Sequence, residues 1–204
     1  MYVPNYFKNE NLEEVKSFLI ENSFGILINQ TNGKLTGTHI PMALDIDENG
    51  EDVLVGHMSK LNPQWGNFHD NEEVLAIFNG PHTYVSSSWY EKENVPTWNY
   101  IAVHVYGKIK IIVGAELLNS LRKLADKYEK NSETPVSVER MSTNTLKQIN
   151  GIVGFSLKIN EIQAAYKLSQ NRNESDYHNI VDQLENGDDT LSNQVAEEMK
   201  KRMK

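Results

Sequence analysis

Ser59 and Lys60 stand just before Asn62-Pro63-Gln64, and that order suggests a chemistry. Asn is a good helix N-cap and Pro fits the first helical turn. A helix start offers free backbone N–H groups and a partial positive charge, to which Lys60 adds a cation and Ser59 a hydroxyl. Residues 56–65, Gly-His-Met-Ser-Lys-Leu-Asn-Pro-Gln-Trp, thus read as a phosphate pocket made without a glycine-rich loop. Spacing alone favours the plainer reading, an ordinary strand-to-helix turn with a solvated lysine.

Three further segments carry polar or aromatic groups at close spacing. Residues 37–42 hold Thr38, His39 and Ile40 ahead of Pro41. Antiparallel pairing through Asn49-Gly50 would bring Thr38 or His39 near His57 and Ser59. A proline within a strand implies an edge or a bulge. His39 and His57 taken singly read as polar residues satisfied within a barrel. Residues 80–90 and 95–100 concentrate Tyr84, Trp89, Tyr90, Trp98 and Tyr100 among Ser, Thr and Asn99, which suits a flat ring ligand or a subunit interface ahead of a barrel end plugged by aromatics. Residues 167–172, Lys-Leu-Ser-Gln-Asn-Arg, carry two cations and otherwise read as a solvated connector.

Other chemistries are excluded. The chain has no Cys, so disulfides, thiolate metal sites and Cys nucleophiles are ruled out. His39, His57 and His104 fall in separate predicted strands, with His82 at the start of another, and no pair has metal-ligand spacing. No metal site is expected, and no catalytic residue is assigned. No P-loop, dinucleotide fingerprint or nucleophile elbow is present.

These segments must be positioned by a chain of 204 residues, long enough for one large domain or one domain with an appendage. The formal charge of −8 is localised. Residues 173–199 hold eight acidic side chains and no Lys or Arg, so the rest of the chain is neutral. A neutral body with an acidic tail is a poor footprint for nucleic acid. Apolar runs such as residues 109–113 are far too short to span a bilayer, and the N-terminus lacks a secretory pattern. A cytoplasmic protein without membrane contact is expected.

Asn11 with Glu14 three residues on has capping-box spacing, and Leu12, Val15, Phe18 and Leu19 form an apolar face, predicting a helix that stops near Asn22. Strands are predicted at residues 24–28, 34–45, 52–59, 74–78, 83–87, 98–113 and 154–159. Asn32-Gly33 and Asn49-Gly50 read as hairpin turns of type I′. Helices are predicted at 115–129 and 143–150. Two more follow in the acidic tail, on the stripes Tyr177, Ile180, Val181, Leu184 and Leu191, Val195, Met199. The fold class is mainly β with peripheral helices, an antiparallel barrel or sandwich. Residues 1–172 are expected to form the barrel domain, and 173–204 an acidic helical extension packed on it.

In this order, the motifs resemble the PaiB-type family of FMN-binding negative transcriptional regulators. The resemblance rests on Met1-Tyr2-Val3-Pro4, Thr38-His39-Ile40-Pro41, residues 56–65, residues 78–84 with Ser88-Trp89-Tyr90, Val95-Pro96-Thr97-Trp98-Asn99-Tyr100 and residues 167–172. It spans essentially the whole chain. It implies a six-stranded antiparallel split barrel with helices around it, as in pyridoxamine-phosphate oxidases and flavin reductases. It further implies a homodimer with FMN at the subunit interface. The cofactor-binding residues it implies are Thr38, His39 and Ile40 along the flavin ring, and His57, Ser59, Lys60, Asn62 and Gln64 around the phosphate. Trp98, Asn99, Lys167 and Ser169 would complete the site. Lys60 stands where many members have Arg, which supplies a cation without the bidentate fork.

The family name implies repression of sporulation and protease genes, and NAD(P)H-driven flavin reduction would make the protein an oxidoreductase. Alternatives are a haem-binding or haem-degrading split barrel, a repressor that contacts DNA directly, and a dimeric scaffold with an empty pocket. The charge pattern argues against direct DNA contact and favours indirect regulation.

Overall fold

The computed structural model describes residues 1–31, 33–68 and 73–203. Six strands form the sheet: β1 Phe24–Thr31, β2 Lys34–Ile46, β3 Asp52–Ser59, β4 Glu73–Val85, β5 Thr97–Ile112 and β6 Ile152–Lys167. Their order is β1-β2-β3-β6-β5-β4, and β4 returns to β1 in antiparallel register at Ile26↔Ile77, closing a barrel. The helices are α1 Leu12–Glu21, α2 Gly114–Glu129, α3 Thr143–Leu146, α4 Glu174–Glu185 and α5 Thr190–Lys200. The chain forms two compact units. One comprises residues 1–18, 78–104 and 163–204, and the other 19–77 and 105–162.

The second unit contains the β1–β2–β3 meander and the first half of β6. Met42 N–H donates to Ser23 O (2.8 Å), on the β1 side. Alternation then turns position 41 toward β3, where proline has no N–H to offer. The β2–β3 ladder accordingly ends at Met42↔Gly56, and His57, Met58 and Ser59 pair with Gly154, Val153 and Ile152 of β6 instead. Thr38 and His39 are therefore not laddered to residues 57–59, contrary to the expectation from the hairpin. Gly56 is required at the parting: a Cβ there would lie 2.7 Å from the Phe155 ring and 3.0 Å from Pro41 O.

The β2–β3 connection corrects a second expectation. Gly50 has φ +82°, but Asn49 does not share a positive φ, so the turn is not type I′. Gly50 N–H bonds Asp47 O (3.1 Å) and Asp47 N–H bonds Glu51 O (2.9 Å), a type I turn with a glycine bulge. The Asp47 carboxylate selects it by accepting the Asn49 and Glu51 N–H groups, both at 2.9 Å. Those bonds, that from Glu51 first, hold the carboxyl below its ordinary range. Asn32 lies outside the described residues, while Gly33 next to it has φ +78°.

Residues 74–78 and 83–87 do not form separate strands. β4 runs unbroken through Gly80-Pro81 because Gly80 lets the Phe18 ring close in, a Cβ there meeting it at 2.7 Å. β6 extends to Lys167, well past the predicted end. The acidic tail folds as two helices. Ile180, Val181 and Leu184 of α4 and Val195 and Met199 of α5 are buried, as their spacing predicts. These helices bond other segments of the same unit: Glu91 N–H, in the loop before β5, donates to Asp176 Oδ1 (2.9 Å), and Thr83 Oγ1 of β4 lies 2.7 Å from Ser192 Oγ of α5. On α1, Val15, Phe18 and Leu19 are buried but Leu12 is half exposed in the first turn. Residues 143–150 make one α-helical turn that tightens into a 3-10 helix, Lys147–Gly151.

Candidate functional site

Gln64 is fully buried and stitches three chain segments together. Its Nε2 donates to Leu27 O of β1 (2.9 Å) and Thr36 O of β2 (3.2 Å), and its Oε1 accepts from the Thr38 hydroxyl. Asn62 Nδ2 donates to Thr38 Oγ1 (2.8 Å), and Asn62 Oδ1 accepts Gln64 N–H (3.0 Å). Pro63 opens a five-residue 3-10 helix, Pro63–Asn67, rather than an α-helix. Its first free N–H is already capped by Asn62, and so short a turn has little dipole.

The result is a rigidly placed loop at residues 59–62. Trp65 Nε1 donates to Lys60 O (2.8 Å), Lys60 N–H donates to Gly151 O (2.8 Å), and Leu61 N–H donates to Ser59 Oγ (3.2 Å). Ser59 and Lys60 are exposed on this loop, and Lys60 makes no ion pair among the described residues. The cation and hydroxyl singled out in the sequence are thus presented to solvent, while Thr38, Asn62 and Gln64 hold them in place. His39 is exposed beside the Phe24 ring (centroids 6.4 Å apart), and Ile40 is buried.

Asn29 of β1 gave no signal in the sequence. It is buried, its Nδ2 reaches Gln64 O (3.4 Å), and its Oδ1 has no partner among the described residues. An orphaned buried acceptor next to the stitch is a further candidate for holding a ligand donor. No pattern marks it, because a single polar residue in a strand looks like any other.

His57 is half-buried on β3, and burial pushes its imidazole below the ordinary value of 6.5. His104 shifts the same way, from burial first and then the N-terminal amine. The unfolded chain takes up these protons as pH falls through its ordinary value, while the folded state resists. Stability present above that pH is therefore lost on acidification. His57→Gln should lose less than wild type between about pH 7.5 and 5.5 in urea midpoints. Equal losses would remove His57 as a cause.

The remaining predicted residues lie in the other unit. Lys167 Nζ donates to Thr97 Oγ1 and to Trp98 O (2.7 Å). Ser169 Oγ donates to Asn99 Oδ1 (3.0 Å), and Asn99 Nδ2 reaches Met199 Sδ (3.5 Å). Asn99 and Ser169 are both buried, so this pair is internal. Among the described residues Ser169 is the one non-glycine at positive φ, +62°, a strained conformation of the kind that collects at functional sites. Trp98 is half exposed, with the His82 and Tyr84 rings at 6.4 and 6.1 Å. The structure thus gathers Thr38, Ser59, Lys60, Asn62 and Gln64 in one cluster, and Trp98, Asn99, Lys167 and Ser169 in another.

The closed six-stranded antiparallel barrel with peripheral helices is a split-barrel fold. Two solved structures match the chain in fold. These are the FAD and haem binding protein of Mycobacterium smegmatis (TM-score 0.62, 15% identity, covering 78% of this chain and 73% of that one) and the flavocytochrome Anf3 of Azotobacter vinelandii (TM-score 0.63, 18% identity, covering 87% and 78%).

The chain belongs to the family described as "Putative FMN-binding domain", whose model matches residues 1–161. It is 46% identical over 205 residues to protease synthase and sporulation protein PAI 2 of Bacillus subtilis, with 100% of this chain and 99% of that protein aligned. An uncharacterized protein of Emericella nidulans is 28% identical over 228 residues, 91% of each chain. No helix among the described residues is long and apolar enough to cross a membrane.

Proposed function

We propose that this protein binds FMN and acts as a negative regulator of protease and sporulation genes, without itself contacting DNA. The observation that carries the flavin reading is Lys60 beside Ser59, exposed and without an ion pair among the described residues, held on a loop stitched by Gln64 and Trp65. The residues fit the group. A phosphate needs a fixed cation and hydroxyl, and Lys60 and Ser59 offer both. Thr38 and His39 lie on the strand that would flank the ring, with Ile40 as its buried support. His57 and Asn62 would border the phosphate end. Trp98 offers an exposed ring face, and Lys167 a cation. Asn99 and Ser169 would fix the orientation of Trp98 and Lys167 from below, through a partner protomer of a homodimer. FMN, when bound, supplies hydride and electron transfer, and the protein supplies position and electrostatics.

The regulatory reading is supported by the likeness to PAI 2, and the indirect mode by the acidic charge of residues 173–199. Those residues act as an extension packed on a barrel domain of residues 1–172. Cytoplasmic placement accords with gene regulation.

The absorbance spectrum of the purified protein tests the cofactor. Flavin bands, or quenching of added FMN with a rise in melting temperature, are expected. A Soret band on adding haemin, with no response to saturating FMN, would overturn the reading in favour of haem. A salt-dependent shift of promoter DNA by the pure protein would overturn the indirect mode.

A further inference from the structure

Arg172 ends the string of residues 167–172, and the flavin reading leaves it without a role. Its guanidinium lies 4.5 Å from the centroid of the Tyr90 ring. Its Nε is buried without a hydrogen-bond partner, and no carboxylate pairs with it among the described residues. Lys167 stands near it, bonded to neutral oxygens on Thr97 and Trp98. Burial, and then repulsion from Arg172, hold that ammonium below its ordinary value. Two neighbouring cations with no anion between them are costly unless a ligand supplies one.

Arg172 lines a cavity of about 450 Å³, with Glu174, Tyr177, His178, Arg202 and Met203 also in its wall. That volume is within the range of small-molecule sites. The second guanidinium there is already neutralised: Arg202 pairs with Glu14 and, through Nη1 at 3.3 Å, with Glu198. The Tyr177 hydroxyl donates to Met199 O (2.8 Å), and His178 Nδ1 lies 2.7 Å from Glu174 O. The uncompensated charge is therefore the single positive charge of Arg172, with Glu174 opposing any excess of negative charge. A phosphate dianion is disfavoured and a monoanion matches. A planar guanidinium stacked on a ring presents paired N–H groups suited to a carboxylate. Tyr177 and Met203 supply apolar surface for a carbon body.

We propose that this cavity binds a small organic carboxylate, its carboxylate on Arg172 and its apolar body against Tyr177 and Met203. The site is independent of the flavin reading, since it uses neither Lys60 nor Ser59.

The test is calorimetric titration and thermal shift of the whole protein with benzoate, the neutral isostere benzamide and inorganic phosphate. Benzoate should saturate and raise the melting temperature, with benzamide and phosphate at least tenfold weaker. Arg172→Gln should weaken benzoate at least tenfold, and Arg172→Lys should keep part of the affinity. Should Arg172→Gln fail to fold, peptide-level mass spectrometry of phenylglyoxal modification replaces it, with benzoate expected to protect Arg172 in the wild-type protein. Benzamide or phosphate binding as tightly as benzoate, undiminished benzoate binding in Arg172→Gln, or unprotected Arg172 would each overturn the proposal.

Discussion

Gln64→Glu is expected to lower the stability of the protein by about 3 kcal/mol or more, a fall in melting temperature of about 10 °C for a chain of this size. The reason is the sign of one group. Gln64 Nε2 is a donor shared by two backbone carbonyls, Leu27 O and Thr36 O, at a position without solvent access. Glutamate replaces that donor with an oxygen facing two oxygens. The protein must then bury an unpaired charge or hold a protonated acid that can serve only one carbonyl. Gln64→Met keeps the length and removes the clash of like dipoles, so it should cost less, about 2 kcal/mol, from the two carbonyls left unpaired. Urea unfolding of the three proteins decides the matter. Glu tolerated as well as Met would show that Gln64 does not stitch β1 to β2. Because the stitch also places residues 59–62, FMN affinity should fall in both variants.

Lys60→Glu should behave in the opposite way, with stability unchanged and FMN affinity reduced about a hundredfold. The side chain is exposed and makes no ion pair among the described residues, so its removal breaks no ion pair among them. Loss of a charge-assisted contact to phosphate costs about 1.5–3 kcal/mol, and reversal adds repulsion. Lys60→Arg should tighten binding several-fold by adding the bidentate fork. The wild-type affinity should weaken with salt, and the Lys60→Glu protein should lose most of that dependence. Fluorescence titration of FMN at two ionic strengths measures both. Affinity unaffected by Lys60→Glu would place the phosphate elsewhere. Comparing positions 60 and 64 separates a binding group from one that positions it.

The elements legible in the sequence were those set by local rules. Apolar spacing marks α1, α2, α4 and α5, and alternation marks most strands. The Asn-Pro-Gln-Trp string announced its cap, since Asn62 accepts Gln64 N–H as an N-cap should. Other features escaped for physical reasons. Gly80-Pro81 looks like a break, yet β4 continues because Phe18, distant in sequence, packs against the glycine. The turn at residues 47–51 is chosen by the Asp47 carboxylate, which outweighs the Asn-Gly dipeptide. The resemblance placed Gln64 near the phosphate, and no local pattern showed that its donor meets carbonyls of two strands. Asn29 carries no motif, and the motif that ends in Arg172 does not show that its Nε is buried without a partner, because an unsatisfied group is defined by what surrounds it.

By itself, the sequence determined the strand-rich class, the helices of the tail, the family resemblance, and the placement of all excess negative charge in residues 173–199. These follow from composition and spacing, which act over a few residues. The tertiary structure alone decided which polar side chains face solvent and which are committed inside: Lys60 and Ser59 outward, Gln64, Asn99 and Ser169 inward. Burial depends on chain segments dozens of residues apart meeting in one barrel, and a hydrogen bond to a distant carbonyl leaves no trace in local sequence. The charge of −8 belongs to the chain; the buried Arg172 Nε without a hydrogen-bond partner among the described residues belongs to the fold.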